Sequence, residues 1–200
     1  MPDYLDSRCL HVCVDMQRMF TEKTDWHLAW SQRVIPKIVS LTSEHPRQTV
    51  FTKFIPPENP QQATGMWREY YQRWEGMTTD RLGLDMLELD RAFTDFSDCP
   101  CFTKSVYSPW YNADFRRELK DRNIDTLIIS GGETDVCVLA TVLGAVDYGY
   151  KIIIASDAVC SGSDAAHDAA MDLYHRRYST QVFPMTVDEI LNLWDSEATK

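Results

Sequence analysis

The sequence predicts an α/β protein: a three-layer, doubly wound sandwich with a mainly parallel central sheet. Three observations point there. Short β-rich runs alternate with longer helical patterns, which is the rhythm of a doubly wound sheet. Two runs, "TLIIS" and "KIIIAS", are nearly continuous in apolar residues, as strands covered on both faces must be. The 200 residues are 44 % hydrophobic, enough for one proper core, and carry no internal repeat or low-complexity linker. A single domain over residues 1–200 is therefore expected.

The elements follow in order. Strands are expected at Cys9–Asp15 ("CLHVCVD"), Thr49–Phe54, Cys101–Ser105, Asp125–Ser130, Lys151–Asp157 and Thr180–Pro184. Helical stretches lie between them, around Trp30–Ser43, Asp114–Arg122, Asp135–Tyr148 and Ser163–Tyr178. The segment at about 56–100 interrupts this rhythm with an insertion dense in aromatic and turn residues. There Trp67, Tyr70, Tyr71 and Trp74 fall at helical spacing on one face. Such a face packs on the body or on a second subunit, or it walls a pocket.

Bulk properties narrow the partners. The chain has 20 basic and 30 acidic residues, a formal charge of -10, which argues against nucleic acid or an anionic membrane as partner. No apolar run approaches ~18 residues, so no membrane span is expected. "MPDYLDSRCLHVCVD" has no basic start leading into an apolar stretch, so it does not read as a secretion signal. The six cysteines include C-x3-C and C-x-C spacings that match no zinc pattern, and a chain of this size needs no disulfide staples. A reduced, cytoplasmic protein is expected, with most cysteines as small apolar fillers.

In open α/β sheets, ligands bind beyond the carboxyl ends of the strands. Three chemically capable residues fall at or near such ends: Asp15 closes "HVCVD", Lys104 closes "CFTK", and Cys137 follows "TLIISGGETDV". A thiol at a helix start beside a cation has a lowered pKa, and a carboxylate can take its proton. The helix N-terminus also offers N–H groups to a developing oxyanion. On this reading Cys137 should alkylate well below pH 8. The glycine pair Gly131–Gly132 is no phosphate loop, because G-x-G-x-x-G is absent and Glu133 and Asp135 would repel a phosphate.

"GGETDVCVLATVLGAVDYGY" resembles the nucleophile motif of the isochorismatase-like cysteine hydrolases, roughly G-x-x-T-x-x-C-V-x-x-T, with Gly131, Thr134, Cys137, Val138 and Thr141 in place. "VCVDMQRMF" and "FTKSVYSPW" resemble the family's other two motifs, in the family's order. The resemblance implies amide hydrolysis by a triad of Cys137 as nucleophile, Asp15 as general base then acid, and Lys104 holding and polarising both. It further implies a non-proline cis peptide at Gly132–Glu133, with the N–H groups of Glu133 and Cys137 as oxyanion donors. Members are usually oligomeric, so a homodimer or homotetramer is expected. Nicotinamidases in the family carry a D-x-H metal site after the second strand. Here that place reads "FTKFIPPENP", so no metal and no cofactor is expected. Isochorismatases proper lack the cysteine, so Cys137 favours cleavage of a C–N bond.

The expected activity is a metal-independent cysteine amidohydrolase acting through a thioester on a small carboxamide, ureide or carbamoyl compound. The alternative is an inactive protein of the same fold that binds a small molecule or serves as a scaffold. Gln17 is expected near the pocket mouth, facing either the site or solvent. Phe20, Trp67, Tyr107 and Trp110 are candidates to wall a flat substrate, with core packing the alternative for each. Lys53 is a solvated lysine or a contact for an anionic group. Asp164, His167, Asp168 and His175 suggest a metal at first sight, but N-capping by Ser161 or Ser163 is the plainer account.

Overall fold

A computed structural model of the chain describes residues 5–194. Its centre is a six-stranded, all-parallel sheet in the order β3-β2-β1-β4-β5-β6. The strands are β1 (Cys9–Val14), β2 (Thr49–Phe54), β3 (Cys101–Lys104), β4 (Thr126–Gly132), β5 (Lys151–Cys160) and β6 (Val182–Met185). The helices are α1 (Arg18–Thr21), α2 (Ser31–Glu44), α3 (Met66–Arg73), α4 (Thr79–Leu82), α5 (Ala113–Asp121), α6 (Cys137–Asp147), α7 (Asp164–Arg176) and α8 (Val187–Leu193).

The two-residue period of the strands sorts the core into two layers. Cys9 and Cys13 of β1, Ile128 of β4 and Ile153 of β5 pack on one face with Val34, Ile38 and Leu41 of α2 and Ile190 of α8. Leu10, Val12, Leu127, Ile129, Ile152 and Ile154 pack on the other, under α5, α6 and α7. This is the expected three-layer sandwich. All five strand pairings are parallel, so the sheet is purely rather than mainly parallel. The six described cysteines are free, and Cys9, Cys13, Cys137 and Cys160 are buried.

Boundaries differ from expectation at both glycines and at β5. β4 runs on through Gly131 and Gly132, because Val14 of β1 still pairs with Gly131. Gly131 sits at φ 105, and a Cβ there would lie 2.1 Å from the Val14 carbonyl oxygen, so only glycine fits this approach of the two strands. The register with β5 shifts between Ile129 and Gly131, and β5 continues to Cys160. α6 consequently begins at Cys137 itself rather than at Asp135.

The 56–100 insertion folds as α3, α4 and several 3-10 turns. It is tied back to the segment after β1 by Arg18 N–H to Glu88 O, by Asp90 N–H to Met16 O, and by a bridge between Gln17 and Leu89. No described helix is long and apolar enough to cross a membrane.

Candidate active site

In the observed strand order, β1 and β4 are neighbours from which the chain departs in opposite directions. The crevice beyond their carboxyl ends is where such sheets bind ligands. Asp15 follows β1, Lys104 ends β3, and Cys137 opens α6 after β4. The Lys104 Nζ lies 2.5 Å from Oδ2 of Asp15 and 3.5 Å from Sγ of Cys137, so one ammonium touches both. All three side chains are buried. The lysine bridges because Phe54 of β2 pairs with Lys104, which puts β3 two strands from β1, within reach of a four-carbon stem.

Asp15 is held from its own side. Its backbone is in the left-handed region at φ 51, which aspartate tolerates better than most residues, and its N–H donates to the Thr52 carbonyl. The Thr52 hydroxyl donates to Oδ1 at 2.6 Å, leaving Oδ2 to Lys104. Burial works against the Lys104 ammonium, but the Asp15 carboxylate and the Cys137 sulfur outweigh it and leave its pKa raised. Cys137 departs from expectation. Burial, then the Asp15 carboxylate, push its thiol well above the ordinary value, although Lys104 pulls the other way. The resting group is therefore a thiol beside a carboxylate, and alkylation of the free protein well below pH 8 is not expected.

A cavity of about 440 Å³ opens over Cys137. Phe20 and Tyr107 line it, and Tyr70 and Trp74 bring the insertion into its wall. The insertion thus packs on the body and walls the pocket at once. The Gly132–Glu133 peptide is cis, and the Glu133 side chain also lines the cavity, accepting from Gly162 N–H at 3.3 Å while burial raises its pKa.

Several candidates lie elsewhere. Gln17 is fully buried and does not line the cavity. Its amide donates to the carbonyls of Phe54 at 2.9 Å and Leu87 at 2.8 Å and accepts from Phe54 N–H at 2.6 Å. Every polar atom of that side chain is committed to backbone, so it joins β2 to the insertion. Trp110 is in the core layer under α6. Its Nε1 donates to Thr141 O at 2.8 Å, and its ring lies where Gly144 leaves room, since a Cβ there would meet it at 2.1 Å. Trp67 stands behind the wall, edge-on to Tyr70 and to Tyr107 at 5.3 and 5.0 Å. Lys53 pairs with Glu88 at 2.9 Å. Ser163 caps α7, and His167 Nδ1 meets the Thr134 hydroxyl at 2.9 Å. Among the described residues, no three His, Cys, Asp or Glu side chains are grouped to hold a metal ion.

Sequence reasoning missed Trp26, His27, Phe54, Asp25, Glu133 and Asp135, all of which line the cavity. Trp26 stacks on Phe20 at 6.0 Å and meets Phe54 edge-on at 6.1 Å. Phe54 ends a strand, and that position was a usable signal. Trp26 sits in an irregular connection with no periodicity to flag it.

The family model for the isochorismatase domain matches residues 9–184, which takes in all three of these strand ends. The chain belongs to the isochorismatase family. An uncharacterised isochorismatase family protein of Bacillus subtilis is 32 % identical over 79 residues, 40 % of this chain and 43 % of the relative. This isochorismatase-family chain spans less than half the length of the curated relatives it matches. Among solved structures, a cysteine hydrolase from Pseudomonas syringae superposes with TM-score 0.81 at 23 % identity, covering 93 % of this chain and 92 % of that one. N-carbamoylsarcosine amidase from Thermoplasma acidophilum gives 0.72 at 21 % identity, covering 90 % and 96 %. Pyrazinamidase of Pyrococcus horikoshii in complex with zinc gives 0.70 at 19 %, covering 90 % and 99 %. At these identities the likeness establishes the shared fold.

Proposed function

We propose that the protein is a metal-independent cysteine amidohydrolase that cleaves a C–N bond of a small carboxamide, ureide or carbamoyl compound. The strongest support is the Lys104 ammonium in contact with both the Asp15 carboxylate and the Cys137 sulfur, with Cys137 lining the cavity. Two relatives of the same fold are an amidase and a pyrazinamidase by name, in keeping with C–N chemistry.

The raised thiol pKa sets the order of events. Asp15 takes the Cys137 proton as the sulfur attacks the carbonyl carbon, forming the S–C bond and an oxyanion. Lys104 stays charged and stabilises the thiolate as it develops. Backbone N–H groups of Glu133 and Cys137 are the proposed oxyanion donors. Three N–H groups around them are committed: Thr134 donates to Cys160 O, and Val136 and Val138 donate to Glu133 O. The carbonyl re-forms, the C–N bond breaks, and Asp15 returns its proton to the departing nitrogen. Water, deprotonated by Asp15, then attacks the thioester, and the proton goes back to the sulfur as the acid leaves.

A panel of small amides and ureides is assayed for ammonia release with wild type and Cys137→Ala. Wild type should exceed the variant by more than about a thousand-fold on its substrate. Rapid acid quench should trap an acyl group on Cys137, seen by mass spectrometry of the peptide. Equal ammonia release by the two proteins would refute the nucleophile assignment.

A further inference from the structure

The cavity's charge is one-sided. Asp25, Glu133 and Asp135 all line it, and no lining residue is a lysine or arginine. The nearest ammonium, Lys104, is already matched by Asp15 at 2.5 Å. Asp135 accepts from the Ser161 hydroxyl and Glu133 from Gly162 N–H, so both are held by neutral donors. The same wall carries the aromatic residues Phe20, Trp26, Phe54, Tyr70, Trp74 and Tyr107. Ring faces attract cations, and Phe54 already carries Lys104 Nζ at 5.1 Å from its centroid. A carboxylate entering this cavity meets three acidic residues against a single imidazole, His27, and no lysine or arginine on the wall. A cation meets aromatic rings and acidic side chains whose only hydrogen-bond partners shown are neutral.

Resting on the amidohydrolase reading, we propose that the substrate carries a positive charge beside its scissile amide: an ammonium, guanidinium or quaternary ammonium group, and no carboxylate. The amide end reaches Cys137, and the cationic end occupies the space between the rings and Asp25 and Asp135.

Three small primary amides test this: 2-(trimethylammonio)acetamide, its neutral isostere 3,3-dimethylbutanamide, and the smaller anion malonamate. Binding to Cys137→Ala protein is measured by calorimetry, so turnover plays no part. The cation should bind roughly ten-fold or more tighter than the neutral isostere, with malonamate weakest. Asp25→Asn should narrow the gap between cation and isostere, Asp25→Asn/Asp135→Asn should narrow it further, and added salt should do the same. Equal binding of the cation and its isostere, tightest binding of malonamate, or binding of none of the three would each overturn the proposal. Ammonia release from the same ligands by wild type is read separately. Cation-selective binding without hydrolysis would sink the amidohydrolase reading on this class and leave the cation preference standing.

Discussion

Acid stability should be governed to a large degree by His11, a fully buried residue of β1. Its Nδ1 lies 3.1 Å from the Thr49 hydroxyl and its Nε2 lies 2.7 Å from the Ser130 hydroxyl. Thr49 donates its own proton to His45 O, so its oxygen must accept from Nδ1–H, and Nε2 must accept from Ser130. This is a neutral imidazole with its tautomer set by its neighbours. Burial, with a smaller contribution from His45, lowers its pKa from 6.5 to about 3. In the unfolded chain the group protonates near 6.5, whereas in the folded chain it does not until about 3. Its contribution is therefore whole above about 6.5 and is lost as the pH falls through that window. Between about pH 7.5 and pH 5 the unfolded state gains about 2 kcal/mol from this one proton. The assay is urea unfolding at both pH values, for wild type and for His11→Gln, which cannot titrate. Wild type should lose about 2 kcal/mol more than the variant over that interval. Equal losses would show that His11 is charged in the native protein or protonates there as readily as when unfolded.

Three further outcomes are expected. Lys104→Met leaves the Asp15 carboxylate buried without its ammonium and should cost about 3–5 kcal/mol in chemical denaturation, along with the ammonia-releasing activity. Gly131→Ala places a Cβ against the Val14 carbonyl at a positive φ and should destabilise by at least about 2 kcal/mol, seen as a fall in thermal midpoint or in soluble yield. Trp110→Phe removes the bond to Thr141 O and part of a ring buried under α6. It should lower stability by about 1–3 kcal/mol while KM stays unchanged, because the ring is away from the cavity; a raised KM would return Trp110 to the substrate wall.

The catalytic candidates were legible because each is tied to a strand end, and strand ends are visible in one dimension. The apolar runs "HVCV" and "TLIIS" stop at residues that the sheet must present at its carboxyl edge, so Asp15 and the approach to Cys137 could be placed before any contact was known. The protonation of Cys137 could not be placed in this way. It depends on how much burial outweighs one lysine, and burial is a sum over neighbours from several elements. Gln17 and Trp110 failed as substrate contacts for a related reason. Both sit next to motif residues along the chain, yet their side chains point into backbone carbonyls and core rather than into the cavity.

By itself the sequence determined the mainly parallel α/β sheet and which three groups could do nucleophilic chemistry. Periodicity and strand termini are local properties, carried by a few consecutive side chains. Only the tertiary structure decided that Lys104 would touch both partners, that the insertion would be cavity wall, and that Trp26, Asp25, Glu133 and Asp135 would line one cavity. These residues come from separate connections, and no spacing along the chain encodes which loops meet over the β1–β4 crevice.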